Sequence, residues 1–149
     1  MLLDSEYPPS RNDQTREQVE LYEATNGVEG GTFDGKPVIV LTFKGAKSRK
    51  IRKSPLMRIE HNGTYAVVAS NGGAPTHPFW YRNIVANPPV ELQDGAAKQE
   101  MRAREVFGEE KNEWWEHADA AYSNFPESRA RAARAGREIP LVVLAPLQA

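Results

Sequence analysis

The chain has 149 residues, 40% of them hydrophobic, which suits one domain with a real core. A formal net charge of -1 excludes polyanion binding driven by bulk charge. The absence of cysteine excludes disulfides and thiolate metal sites, and three scattered histidines (His61, His77, His117) argue against structural zinc.

Residues 1–12 read as a loose arm, since Pro8-Pro9 breaks any helix. The opening stretch is too short and polar for a signal peptide, and no apolar run reaches the roughly 20 residues of a membrane helix. A cytoplasmic protein is therefore expected. A helix is expected over 13–26, with Thr15-Arg16-Glu17-Gln18 as a capping box and Asn26-Gly27 as the stop. Val19 and Tyr22, with Leu21 beside them, form its apolar stripe, and Glu17, Glu20 and Glu23 share another face. That acidic face disfavours anionic lipid. A surface helix packed by one edge is preferred over a cover for a site or a weak peripheral contact with the inner face of the membrane.

Gly27–Gly31 is a flexible connector and Asp34-Gly35 a turn. Val38–Phe43 is β-branched and aromatic, the pattern of a core strand. Residues 44–53 read as a basic loop with six cations: Lys44, Lys47, Arg49, Lys50, Arg52 and Lys53. Strands are expected over 54–60 and 64–70, joined at Asn62-Gly63, where both residues tolerate positive φ. A helix over about 78–86 ends at Asn87-Pro88-Pro89. A second hairpin, 90–93 with 98–106, turns at Asp94-Gly95. Residues 109–122 carry Trp114, Trp115, Ala118, Ala121 and Tyr122 at helical spacing. Residues 126–138 are Arg/Ala-rich and helical, broken by Gly136, and Leu141–Ala145 is a closing core strand. Hairpins imply antiparallel pairing. The expected fold is mainly β with flanking helices: one domain over 1–149, a partly open barrel of about six antiparallel strands.

Two stretches carry candidate chemistry. The basic loop has the guanidinium forks, ammonium and hydroxyl (Ser48) that phosphate recognition uses, although a basic run is by default a solvated face. Nucleic acid is disfavoured as a partner. The charge sits in one loop, and strand aromatics for base stacking (Tyr65, Phe43) are few. The second stretch, 67–83, passes from strand through Ser70-Asn71-Gly72-Gly73 into a helix begun by His77-Pro78. Its backbone amides can meet a ring carbonyl or a phosphate. Trp80 and Tyr81 point about 100° apart on a helix, so at most one stacks on a ligand. His77 alone reads as a capping residue. Arg129, Arg131, Arg134 and Arg137 offer an anion site or, equally, a solvated face. No catalytic dyad or Walker-type loop is present, so a bound cofactor is expected to do the chemistry.

These residues resemble the deazaflavin-dependent nitroreductase and quinone reductase family of actinobacteria. The likeness is densest in Gly45–Ser48, Arg52–Leu56, Val67–Asn83 and Glu138-Ile139-Pro140. The resemblance implies a split β-barrel of the flavin-reductase and pyridoxamine-oxidase kind. It implies the cofactor 8-hydroxy-5-deazaflavin, coenzyme F-420, and hydride transfer to a quinone, enone or nitroaromatic acceptor. It implies that Lys47, Ser48 and Arg52, with Lys53 and Ser54, hold the phosphate and acidic tail. Pro55, Leu56 and Met57 would run beside the ring, and Val68, Ala69, Ser70 and Asn71 would meet its edge. Phe79, Trp80, Tyr81, Arg82 and Asn83 would complete the pocket. Tyr122 and Ser70 are the candidate catalytic residues, and Tyr122, Phe125 and Ser128 the candidate substrate contacts. The chain departs from the family pattern at several points. Ala46 replaces arginine, Arg49 replaces glycine and Asn71 replaces lysine. A Tyr-x-x-Tyr-x-x-Tyr spacing is reduced to Tyr122, Phe125 and Ser128, which disfavours nitro-drug reduction. Rival readings are a flavin mononucleotide oxidoreductase on the same barrel and a non-catalytic deazaflavin carrier. A monomer or homodimer is expected.

Overall fold

The computed structural model describes Tyr7, Ser10 and residues 12–147; the rest of the expected N-terminal arm lies outside the described residues. The elements in chain order are α1 (Asp13–Thr25), β1 (Thr32–Phe33), β2 (Lys36–Lys44), β3 (Ile51–Met57), β4 (Glu60–His61), β5 (Thr64–Val68), α2 (Phe79–Ala86), β6 (Pro89–Asp94), β7 (Ala97–Glu105), α3 (Gly108–Ala121), α4 (Phe125–Arg134) and β8 (Leu141–Pro146). The sheet runs β3-β2-β6-β7-β8-β5-β4, antiparallel at every step, with β1 as a short partner of β2. Six long strands thus form the half-open barrel, and two two-residue strands extend its edges.

The apolar runs are continuous because the strands are covered on both faces. Successive side chains of a strand alternate between faces. In β2, Ile39, Leu41 and Phe43 point into the barrel interior with Trp80 and Ile84 of α2, while Val38 and Val40 meet Val19 and Tyr22 of α1. In β8, Val142 and Leu144 join the interior, while Leu141 and Val143 pack under Trp114, Ala118 and Phe125 of α3 and α4. Each such side chain contributes about 1.5–3 kcal/mol on burial. No helix among the described residues is long and apolar enough to cross a membrane.

Three local expectations are corrected. The N-cap of α1 is Asn12, whose side chain accepts from the Thr15 amide at 2.9 Å, so Thr15 does not open a capping box. An asparagine acceptor three residues earlier satisfies the free amide first. The basic loop is shorter than residues 44–53, because Arg52 and Lys53 already lie on β3, opposite Phe43 and Thr42. Long cationic stems lie along a sheet while their heads stay wet, so charge hid this strand. Strand β3 also ends at Met57, before the expected Glu60. Pro55 is tolerated inside it because β3 pairs with β2 alone, so the missing N–H lies at a free edge.

One hydroxyl ties α1 to the barrel. Tyr22 Oη accepts from the Gly95 amide at 2.7 Å and lies 3.2 Å and 3.3 Å from the Val38 and Gln93 carbonyls, to which it can donate. Tyr22→Phe keeps the ring but strands these partners. Chemical denaturation is expected to show a loss of about 1–2 kcal/mol; an unchanged midpoint would contradict this role.

Candidate functional site

The free edge of β3 borders a cleft of about 1010 Å³. Ser54, Pro55, Leu56 and Met57 form one wall, and Val68 with the turn Ser70–Gly72 forms the other. Phe79 and Trp80 of α2 lie at the end. Asn12, Gln14, Thr15 and Gln18 contribute polar groups from α1. Tyr122, Asn124, Phe125, Ser128 and Arg131 supply the rim.

The chain after β5 makes bare backbone here. Asn71 has φ 48°, Gly72 φ 65° and Gly73 φ 82°, conformations that glycine and asparagine adopt at least cost. At Gly73 a Cβ would lie 2.8 Å from both the Ser128 carbonyl and Arg131 Cβ, so α4 packs directly on this turn. Arg137 fastens the turn from behind. It is buried, not part of a solvated arginine face, and donates to the carbonyls of Ala69, Ser70 and Ala74 and to His77 Nδ1. Burial pulls the Arg137 pKa below its ordinary value. Burial first, then the Arg137 charge, lowers the His77 pKa. The other arginines differ. Arg129 is bonded to Asp119 and stacks on Trp115 at 4.1 Å, and Arg131 bonds the Gly72 carbonyl and Glu127.

Helix α2 separates its two aromatic residues as 100° spacing demands. Trp80 is 4% exposed and joins the core at the cleft end. Tyr81 turns away and donates to Glu105; burial and that bond push its pKa up to about 12. Phe79 is exposed and packs on Phe43, ring centroids 5.8 Å apart.

The basic turn is held by α2. The Asn83 side chain accepts from the Ala46 amide at 2.9 Å and donates to the Phe79 carbonyl at 3.1 Å. Ser48 Oγ accepts from the Lys50 amide at 3.2 Å. Lys47 and Arg49 are exposed, and the Arg52 guanidinium bonds only the neighbouring Ile51 carbonyl; none of the three pairs with a carboxylate among the described residues. Lys53, in contrast, is paired with Glu23 and lies over the Tyr7 ring at 4.7 Å.

At the rim, Tyr122 Oη donates to Asp34 Oδ2 at 3.2 Å and accepts from Asn124 Nδ2 at 2.9 Å. The pair bridges the β1–β2 turn and the α3–α4 connector across the cleft mouth.

Of the residues predicted from sequence, Ser54–Met57, Val68, Ser70, Asn71, Phe79, Trp80, Tyr122, Phe125 and Ser128 are together on the cleft. Lys47, Ser48, Arg52, Lys53, Ala69, Tyr81, Arg82 and Asn83 lie outside its lining. Sequence reasoning missed Asp34 and the polar face of α1. It had Arg137 in view among four arginines, but no local signal separated the buried one.

A ring-sized cleft on a half-open antiparallel barrel, with Lys47, Arg49 and Arg52 of the β2–β3 hairpin pairing with no carboxylate among the described residues, has the layout that suits a flat ligand with an anionic tail. The chain belongs to the F420H(2)-dependent quinone reductase family, whose model matches residues 14–146. It is 33% identical over 131 residues to a Mycobacterium tuberculosis (strain H37Rv) protein of that same description, covering 83% of this chain and 84% of the relative. A solved F420-H2 dependent reductase is 46% identical, with a TM-score of 0.67 over 72% of this chain and 93% of that one. Another solved chain, described as a domain-swapped dimer, is 42% identical, with a TM-score of 0.70 over 91% and 99%. The protein is thus an oxidoreductase that uses reduced coenzyme F-420 and a quinone-like acceptor.

The backbone at position 49 favours glycine. Arg49 adopts φ 61°, which costs a residue with a Cβ about 1–2 kcal/mol. Arg49→Gly is expected to raise stability by about 1 kcal/mol after the entropy of glycine is subtracted. Thermal or urea unfolding checks this, and a destabilised variant would contradict it.

Proposed function

We propose that the cleft holds the deazaflavin ring, that the turn 45–50 with Arg52 holds the anionic tail, and that a quinone or enone enters from the rim at Tyr122. The observation that carries this is the division of the site. A ring-sized space with one bare-backbone wall lies apart from three cations, Lys47, Arg49 and Arg52, that no carboxylate among the described residues neutralises. The residues present fit the group chemically. An exposed ammonium and guanidinium suit phosphate and carboxylates, and an apolar wall beside unpaired amides suits a flat ring with polar edges.

The bound cofactor supplies the hydride. The chain's own residues do the rest. Lys47 and Arg52 bind the tail, and Ser48 adds a hydroxyl. Asn83 fixes the turn to α2 and so fixes the distance between tail and ring sites. Pro55, Leu56 and Met57 give a flat apolar wall, and Trp80 closes the inner end against water. Ser70 borders the reacting edge. Tyr122 stands where the acceptor enters, with Asp34 holding its hydroxyl proton; release of that bond frees the hydroxyl to donate to the acceptor oxygen. With Phe125 and Ser128 in place of two further tyrosines, the rim offers one phenol, which favours quinones and enones over nitroaromatics. A homodimer belongs to the same proposal and is supported by the 42%-identical domain-swapped dimer.

Turnover is read with reduced cofactor against a quinone, an enone and a nitroimidazole. The quinone and enone are expected to be reduced, and the nitroimidazole slowly or not at all. Lys47→Ala and Arg52→Ala should each weaken oxidised-cofactor binding about tenfold, more at low salt than at high salt. Tight binding without turnover of any acceptor would favour the carrier reading, and a copurified yellow flavin would favour flavin mononucleotide.

A further inference from the structure

One wall of the cleft is backed by a buried cation without a counter-ion. Arg137 is 8% exposed and bonds no carboxylate among the described residues. It donates to the carbonyls of Ala69 (2.9 Å), Ala74 (2.8 Å) and Ser70, and to His77 Nδ1 (2.8 Å). In a trans peptide the carbonyl and the N–H point in opposite directions. The Ala69 and Ser70 carbonyls face the guanidinium, so the N–H groups of Ser70 and Asn71 face away from it.

The backbone there is right-handed at Ser70 (φ -72°, ψ -40°) and left-handed at Asn71 (φ 48°) and Gly72 (φ 65°). That sequence of conformations gathers successive N–H groups into a concave nest for an anionic or carbonyl oxygen. The N–H groups of Ser70, Asn71 and Gly72 meet no acceptor among the described residues, and all three residues line the cleft. The same guanidinium also fixes a side chain. Arginine only donates, so His77 Nδ1 accepts and the ring proton sits on Nε2. Nε2 meets no acceptor among the described residues, and His77 lines the cleft as well.

We propose that Arg137 is a positioning residue for the reaction: it shapes and polarises the Ser70–Gly72 nest, which binds a partly negative carbonyl oxygen of a ring ligand. The inference rests on the reading of the cleft given above. Two sources share this chemistry, a ring carbonyl of the deazaflavin and the carbonyl of a quinone. In the overall transfer one C–H bond of the donor breaks, its hydrogen and both electrons form a new bond to the quinone, and the donor gives up a proton as it is oxidised. The quinone oxygen carries the negative charge until it takes that proton. Preorganised amides backed by a fixed cation favour the charged state over the neutral one.

The test starts with the wild-type protein. In amide-resolved NMR spectra, the Ser70, Asn71 and Gly72 N–H signals shift and exchange more slowly on saturation with the oxidised cofactor or with a quinone. The addition that moves them names the source. Arg137→Lys keeps a charge but loses the planar fork that reaches three carbonyls. It raises the cofactor Kd or the quinone KM at least tenfold, whichever ligand moved the amides, while the far-UV circular dichroism stays that of wild type. Ligand binding that leaves all three amides unmoved overturns the nest and leaves the cleft reading standing. So does Arg137→Lys that binds and turns over like wild type. Failure of the wild-type protein to bind the oxidised cofactor overturns both. If Arg137→Lys does not fold, the wild-type amide shifts decide alone.

Discussion

One wall of the cleft is a backbone turn held from behind by a single guanidinium. Between Val68 and Phe79 the chain must leave a strand, turn, and enter a helix, and its carbonyls need partners once the ladder to β8 ends. Arg137 supplies them from the segment just before β8. One side chain therefore satisfies the outer face of the turn and leaves the inner face as bare backbone. Glycine at position 73 lets α4 press on the turn from the other side. Remove the clamp, and the Ala69 and Ala74 carbonyls lose this donor, the Ser70 carbonyl keeps only the Gly73 amide, and the wall loses its brace.

The barrel sets the second half of the arrangement. Strand β3 pairs only with β2, so its edge stays open beside the turn and presents Ser54–Met57 to the cleft. The same hairpin carries the basic turn, which α2 holds through Asn83. The proposed ring wall and tail site are thus consecutive in the chain, and the turn between them is tied to α2. The energy of that lock is ordinary: a few hydrogen bonds of about 1 kcal/mol each, laid over strands buried on both faces. Lys47, Arg49 and Arg52 gain nothing from a carboxylate among the described residues, and in the proposed reading their charge is left for the ligand's tail.

Much of this was legible in the sequence. Val38–Phe43 and Leu141–Ala145 read as core strands because both faces are covered, which removes polar alternation. Asn62-Gly63 read as a tight turn and adopts φ 52° and 81°. The cleft walls were legible through the family likeness. Other features were hidden for physical reasons. Arg52 and Lys53 looked like loop because charge is a poor guide on an edge strand. Lys53 is committed to Glu23, a partner 30 residues away. Arg137 looked like one of four arginines forming an anion site or a solvated face, since its burial depends on carbonyls more than 60 residues earlier in the chain. Asp34 gave no signal, because its bond to Tyr122 spans 88 residues.

The central claim is that ring and tail occupy separate sites joined by the β2–β3 hairpin. A crystal structure of the complex with oxidised coenzyme F-420 tests it most directly. The account predicts the ring between Pro55–Met57 and the Ser70–Gly72 turn, with Trp80 at its inner end and the tail against Lys47 and Arg52. A tail lying across α1 or α4, or a ring outside the cleft, would contradict it.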